Sequence, residues 1–82
     1  MQTINLQGIG KMAAVPAANI KPGDVLMWNY GYTSTVLSIL SETSKSMVIK
    51  TRSEGGIFTR RLMKTRLVAI HWHNPLLTLA IQ

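Results

Sequence analysis

The chain has 82 residues, 46% of them apolar, no cysteine, and nine Lys or Arg against three Asp or Glu, for a formal net charge of +6. A length this short leaves room for one small domain over residues 1–82, and the apolar share is too high for a disordered chain. Without cysteine there is no disulfide framework, thiolate zinc site or cysteine nucleophile, so the expected setting is the reducing cytoplasm.

The opening MQTINLQGIGKMAAVPAANI lacks a basic start followed by an apolar core, so it does not read as a secretory signal. Residues 1–9 read as an arm or an edge strand. Next, Lys21-Pro22-Gly23-Asp24 has the chemistry of a type II turn: proline fixes the first corner and glycine supplies the positive φ. Strands are then expected near 25–30, 33–41, 46–52, 57–63 and 66–71. Gly31 reverses the chain after the first, SETSK forms a polar hairpin tip after the second, and SEGG forms a four-residue loop after the third. RRLMKTRLVAI also has fair helix propensity, which leaves a helix as the alternative there. Beyond Pro75, LLTLAIQ is apolar at nearly every position, and residues 75–82 read as a strand or arm on the barrel or on a neighbouring subunit. No apolar run approaches the roughly 20 residues of a membrane helix, so no membrane partner is expected.

VPAANIKPGDVLMWNYGYTSTVLSI, followed by a hairpin and then TRLVAI, resembles the small SH3-like barrel proteins common among bacteriophages. Those proteins open with an alanine-rich lead-in, a glycine-aspartate turn and a tryptophan-bearing strand. The resemblance covers about residues 15–70. It implies an all-β, partly open, five-stranded antiparallel barrel with an apolar C-terminal strand or arm, encoded by a phage or prophage and acting in the host cytoplasm. It carries over no catalytic residue, because barrels of this kind serve variously as nucleic-acid binders, peptide binders, virion parts and inhibitors of host defence.

The chemistry in the chain is concentrated in KTRSEGGIFTRRLMKTR, residues 50–66, which holds six of the nine basic residues and a single acid, Glu54. With a loop at 53–56, Arg52 faces Ile57, Lys50 faces Thr59 and Val48 faces Arg61 on one side of the hairpin. Met47, Ile49, Phe58 and Leu62 gather on the other as core. Arg60 falls on that apolar side, so it is expected at the barrel mouth, on an acid such as Asp24, or against a partner. Lys50, Arg52, Arg60, Arg61, Lys64 and Arg66 are the candidate phosphate ligands, arginine forks being suited to bidentate phosphate contact. Trp28, Tyr30 and Tyr32 are candidate stacking rings, with Trp28 and Tyr30 on one side of their strand.

His71 and His73 could share a face, but two ligands do not make a metal site, and no metal or cofactor is expected. Asp24 lies in a turn, Glu42 and Glu54 lie in hairpin tips, and no serine has a nucleophile-elbow context, so no enzyme chemistry is expected. The expected function is non-enzymatic binding of a phosphate-bearing partner, with nucleic acid ahead of the alternatives. One alternative is an anti-defence protein that sequesters a nucleotide signal in pockets between subunits. The other is a structural or assembly homo-oligomer, and the apolar tail points to self-association in any of these roles.

Overall fold

The structure is a computed structural model that describes residues 2–73. Among these it is all-β, with strands β1 (Thr3–Leu6), β2 (Gly10–Pro16), β3 (Asp24–Met27), β4 (Thr33–Glu42), β5 (Ser46–Ser53), β6 (Gly56–Met63) and β7 (Leu67–His73). All pairings are antiparallel, in the order β1-β2-β7-β3-β4-β5-β6. The expected residues 75–82 strand or arm lies outside the described residues, as does the self-association inferred from it.

The turn chemistry works as its residues require. Gly23 has φ 98° and the Asp24 amide donates to the Lys21 carbonyl at 3.1 Å, closing the type II turn. Asp24 Oδ2 also accepts from the Lys21 amide at 3.0 Å, which fixes the entry into β3. At the next hairpin tip, Thr43 Oγ1 accepts from the amides of Lys45 and Ser46. The β5–β6 register has Arg52 opposite Ile57, Lys50 opposite Thr59 and Val48 opposite Arg61, as the sequence predicts, although the turn itself is tighter, with Ser53 and Gly56 already paired.

Two strands differ from expectation. The alanine-rich lead-in forms β2, whose Ala14, Val15 and Pro16 pair with Ala69, Val68 and Leu67 of β7; β1 pairs on its other side as the sheet edge. Among the described residues the sheet therefore has seven strands, two more than the five of the expected barrel. The first expected strand, 25–30, stops at Met27, because residues 29–31 form a tight 3-10 turn in which Tyr30 takes a left-handed φ of 64°. Few side chains adopt that conformation without help. Here the Tyr30 amide donates to the Gln7 carbonyl at 2.6 Å and its hydroxyl to Gln7 Oε1 at 3.2 Å. Gly8, at φ 77°, leaves room for the ring: a Cβ there would lie 2.8 Å from Tyr30 Cδ1.

The order of strands forces the sheet to curl. β6 and β7 are separated by β3, β4 and β5, yet only residues 64–66 join them. In a flat sheet four steps of about 4.8 Å would put the two strands roughly 19 Å apart. The connection is instead a turn closed by the Arg66 amide on the Met63 carbonyl at 3.0 Å, and the amides of Ala17 and Ala18 bond to the carbonyls of Arg66 and Lys64. Register shifts in the β4–β5 and β3–β7 ladders supply the extra bend and twist. Inside the curl lie Ala17, Ile20, Leu26, Val36, Met47, Ile49, Leu62 and Val68, which form the buried core.

Near its turn end, β6 runs past the edge of this core. Met47, Ile49 and Leu62 are buried as expected, but Phe58, on the same face, is 49% exposed. Among the described residues β6 is the end strand of the sheet, and Phe58 lies outside the buried cluster. Among the described residues no helix is long and apolar enough to cross a membrane.

Candidate ligand clefts

Arg60 resolves the conflict that its position creates. Its pairing with Ile49 puts it on the inner face, where an unpaired guanidinium would be costly if sealed from water. Because the curl stays open there, Arg60 is exposed, and its guanidinium carbon lies 4.4 Å from the centre of the Trp28 ring. The partner is thus an aromatic face. Arg66, arriving from the turn between β6 and β7, places its guanidinium carbon 5.7 Å from the same centroid. Both distances lie within the range of cation–π attraction.

Trp28 is held for this contact. Its Nε1 donates to Ser34 Oγ at 3.0 Å, and Ser34 Oγ lies 2.7 Å from Ser53 Oγ, so a short polar chain ties Trp28, just past the end of β3, to β4 and β5. Ser34 is buried and both its partners are satisfied. The ring therefore presents a fixed face to two arginines.

Trp28 and Arg60 form a shared wall between two clefts. The smaller, about 300 Å³, has Arg66, Tyr30, Ile4 and Leu67 around it. The larger, about 600 Å³, occupies the open side of the curl and is lined also by Tyr32, Phe58, Ser34, Ser53 and Glu54. Tyr32 is 68% exposed at its mouth. The Phe58 ring turns back along the hairpin to lie close to Gly55. An apolar ring, a second ring at the rim and a cation on the wall suit a flat aromatic ligand that carries negative charge.

The six basic residues do not form one stripe. Arg60 and Arg66 meet at Trp28. Lys50, Arg52 and Arg61 project from the outer face of the β5–β6 hairpin, and Arg61 Nη2 approaches Ser46 Oγ at 3.5 Å. Lys64 is engaged with Glu42 at 3.9 Å. The expected pairing of Trp28 with Tyr30 on one side of a strand does not form, since the 29–31 turn follows Trp28 and sends Tyr30 onto Gly8. Tyr32 is the least engaged of the three aromatic candidates. Arg60 does not reach Asp24 in an ion pair, because Trp28 holds it.

Sequence reasoning missed Phe58 as an accessible ring and Ser34 and Ser53 as the support of Trp28. Neither follows from local pattern: both depend on how far the sheet curls. His71 is exposed, and among the described residues no group of three His, Cys, Asp or Glu side chains could hold a metal ion.

No protein-family model matches the chain, and no curated protein and no solved structure is significantly similar to it.

Proposed function

We propose that the protein is a non-enzymatic binder of single-stranded nucleic acid, taking a base in the larger cleft against Phe58 and Tyr32 and the adjoining phosphates on Arg60 and Arg66. The observation that carries this reading is the pair of guanidinium groups gathered on the pinned Trp28 ring, at 4.4 and 5.7 Å from its centroid, beside two accessible aromatic rings. The stacked arginines are held in place while their donors remain available at the cleft, and a fixed arginine loses little freedom on meeting a phosphate. Lys50, Arg52 and Arg61, on the outer face, extend the positive field along which a strand leaves the cleft.

The domain, on this reading, belongs with SH3-like phage barrels working in a host cytoplasm. In support, β2, β7, β3, β4 and β5 form a run of five neighbours that curls around the core, with β1 and β6 as additions at its two ends.

A second reading, a nucleotide-sequestering anti-defence protein, is favoured by the size of the larger cleft. At about 600 Å³ it falls within the range of small-ligand sites. Fluorescence anisotropy with labelled oligothymidylates of increasing length, beside calorimetry with mononucleotides and cyclic dinucleotides, separates the two. Affinity that grows with oligomer length supports the strand-binding reading. Tight, saturable binding of a single nucleotide with none of the longer strands supports sequestration, and no binding of either kind refutes both.

A further inference from the structure

Glu54 is the one acidic residue lining either cleft, and it sits at the rim of the larger one. In a chain of net charge +6 it has every opportunity to pair, as Glu42 does with Lys64 at 3.9 Å, yet among the described residues it makes no ion pair. A carboxylate at the mouth of a site for a phosphate-bearing ligand repels the phosphates and weakens binding unless it meets a donor on the ligand. It is exposed and sits at the hairpin tip beside Gly55, against which the Phe58 ring lies. Glu54, Gly55 and Phe58 line the same cleft, so a base held there on Phe58 shares it with this carboxylate.

An ionised carboxylate only accepts hydrogen bonds, and its two oxygens match two parallel N–H donors. Among the common bases one Watson–Crick edge offers such a pair. Guanine presents N1–H and the N2 amine side by side. Cytosine and adenine present one amine next to a ring nitrogen that accepts, and thymine or uracil presents one N–H between two carbonyl oxygens. Each of the last four sets an acceptor against the carboxylate, which costs affinity. We infer that Glu54 makes the larger cleft selective for guanine, read through its N1–H and N2 amine. This inference rests on the base-binding reading of the cleft and adds to it a choice of base.

The test uses the full chain and four labelled oligothymidylate twelve-mers. One is all thymine, and the others carry at the centre a single guanine, adenine or hypoxanthine. Hypoxanthine keeps N1–H and lacks the N2 amine, so it isolates half of the fork. The guanine oligomer is expected to bind about tenfold more tightly than the hypoxanthine one and more tightly still than the adenine and all-thymine ones. Glu54→Gln should abolish the preference for guanine over hypoxanthine while binding of the all-thymine strand stays the same or tightens, since a negative charge has gone. Guanosine monophosphate against inosine monophosphate, by calorimetry, tells whether the same choice is made on a free nucleotide. Equal binding of all four oligomers by the parent, or a preference that persists in Glu54→Gln, overturns the guanine assignment alone. Failure of the parent to bind any oligomer or nucleotide overturns it together with the reading beneath it. Circular dichroism of Glu54→Gln checks that the hairpin is intact, and Glu54→Asp, which keeps the charge on a shorter stem, should lose most of the preference.

Discussion

Replacing Arg60 separates a ligand-facing role from a structural one. Its guanidinium lies 4.4 Å from the Trp28 centroid, is exposed, and makes no ion pair among the described residues. Arg60→Ala therefore forfeits one exposed cation–π contact, worth about 0.5–1 kcal/mol. Some packing of the arginine stem over the cleft is lost as well, so the total should stay near 1 kcal/mol, within the usual range for single substitutions. For a domain this small that corresponds to a fall in Tm of about 4–8 °C. The protein stays folded.

Binding should respond differently. Loss of one phosphate contact flattens the dependence of log affinity on log salt by about 0.7 for a single strand. Arg60→Lys keeps the charge but loses the planar fork, so it should retain most of the salt slope while losing affinity. The assays are thermal denaturation by circular dichroism and anisotropy titrations at several salt concentrations. If Arg60→Ala binds as the parent does at every salt concentration, the cleft is not where phosphates sit. If it unfolds the domain, the exposed-contact argument fails and Arg60 is part of the scaffold.

Other substitutions test the supports of the site. Ser34→Ala leaves Trp28 Nε1 and Ser53 Oγ without their shared partner, so it should cost about 1–3 kcal/mol in chemical denaturation and blur the near-ultraviolet dichroism of the indole. Gly8→Ala puts a methyl where Tyr30 Cδ1 lies 2.8 Å away, at a φ of 77°, and should destabilise by about 1 kcal/mol or more. Lys64→Met breaks a partly exposed ion pair of 3.9 Å and should change stability by less than about 1 kcal/mol, read from the same denaturation curves. Leu62→Ala opens a hole under β6 in the buried core and should cost about 2–5 kcal/mol.

Local chemistry made the β5–β6 hairpin legible in advance. A short turn at Ser53–Gly56 sets the register, alternation sets the faces, and together these put Arg60 on the apolar side. What such rules do not carry is how far a sheet bends. Phe58 read as core because its face is the core face, and it is accessible because β6 passes beyond the buried cluster. The meeting of Arg60 and Arg66 with Trp28 joins residues more than 30 positions apart in the chain, across the open side of the curl. β2 was hidden for another reason. Its GKMAAVP has weak intrinsic strand preference and forms because β7 offers a ladder to join. Tyr30 was misplaced because a left-handed tyrosine has no sequence signature of its own, and its support comes from Gln7 and Gly8 in a distant turn.

The place of β7 in the sheet bears on how the protein is made. β7 follows every other described strand, yet it lies between β2 and β3 and pairs with both. While the chain emerges from a ribosome, the β1–β2 hairpin and the β3–β6 meander can each form, but no strand ladder joins them, and the inner edges of β2 and β3 stay open. Assembly waits for β7 to be inserted between them, closing loops that span most of the chain, so the rate-limiting step is non-local and slow for a domain of this size. During that interval two complementary strand edges on neighbouring nascent chains can meet each other instead, which makes high expression rate, more than low stability, the condition under which this protein should aggregate.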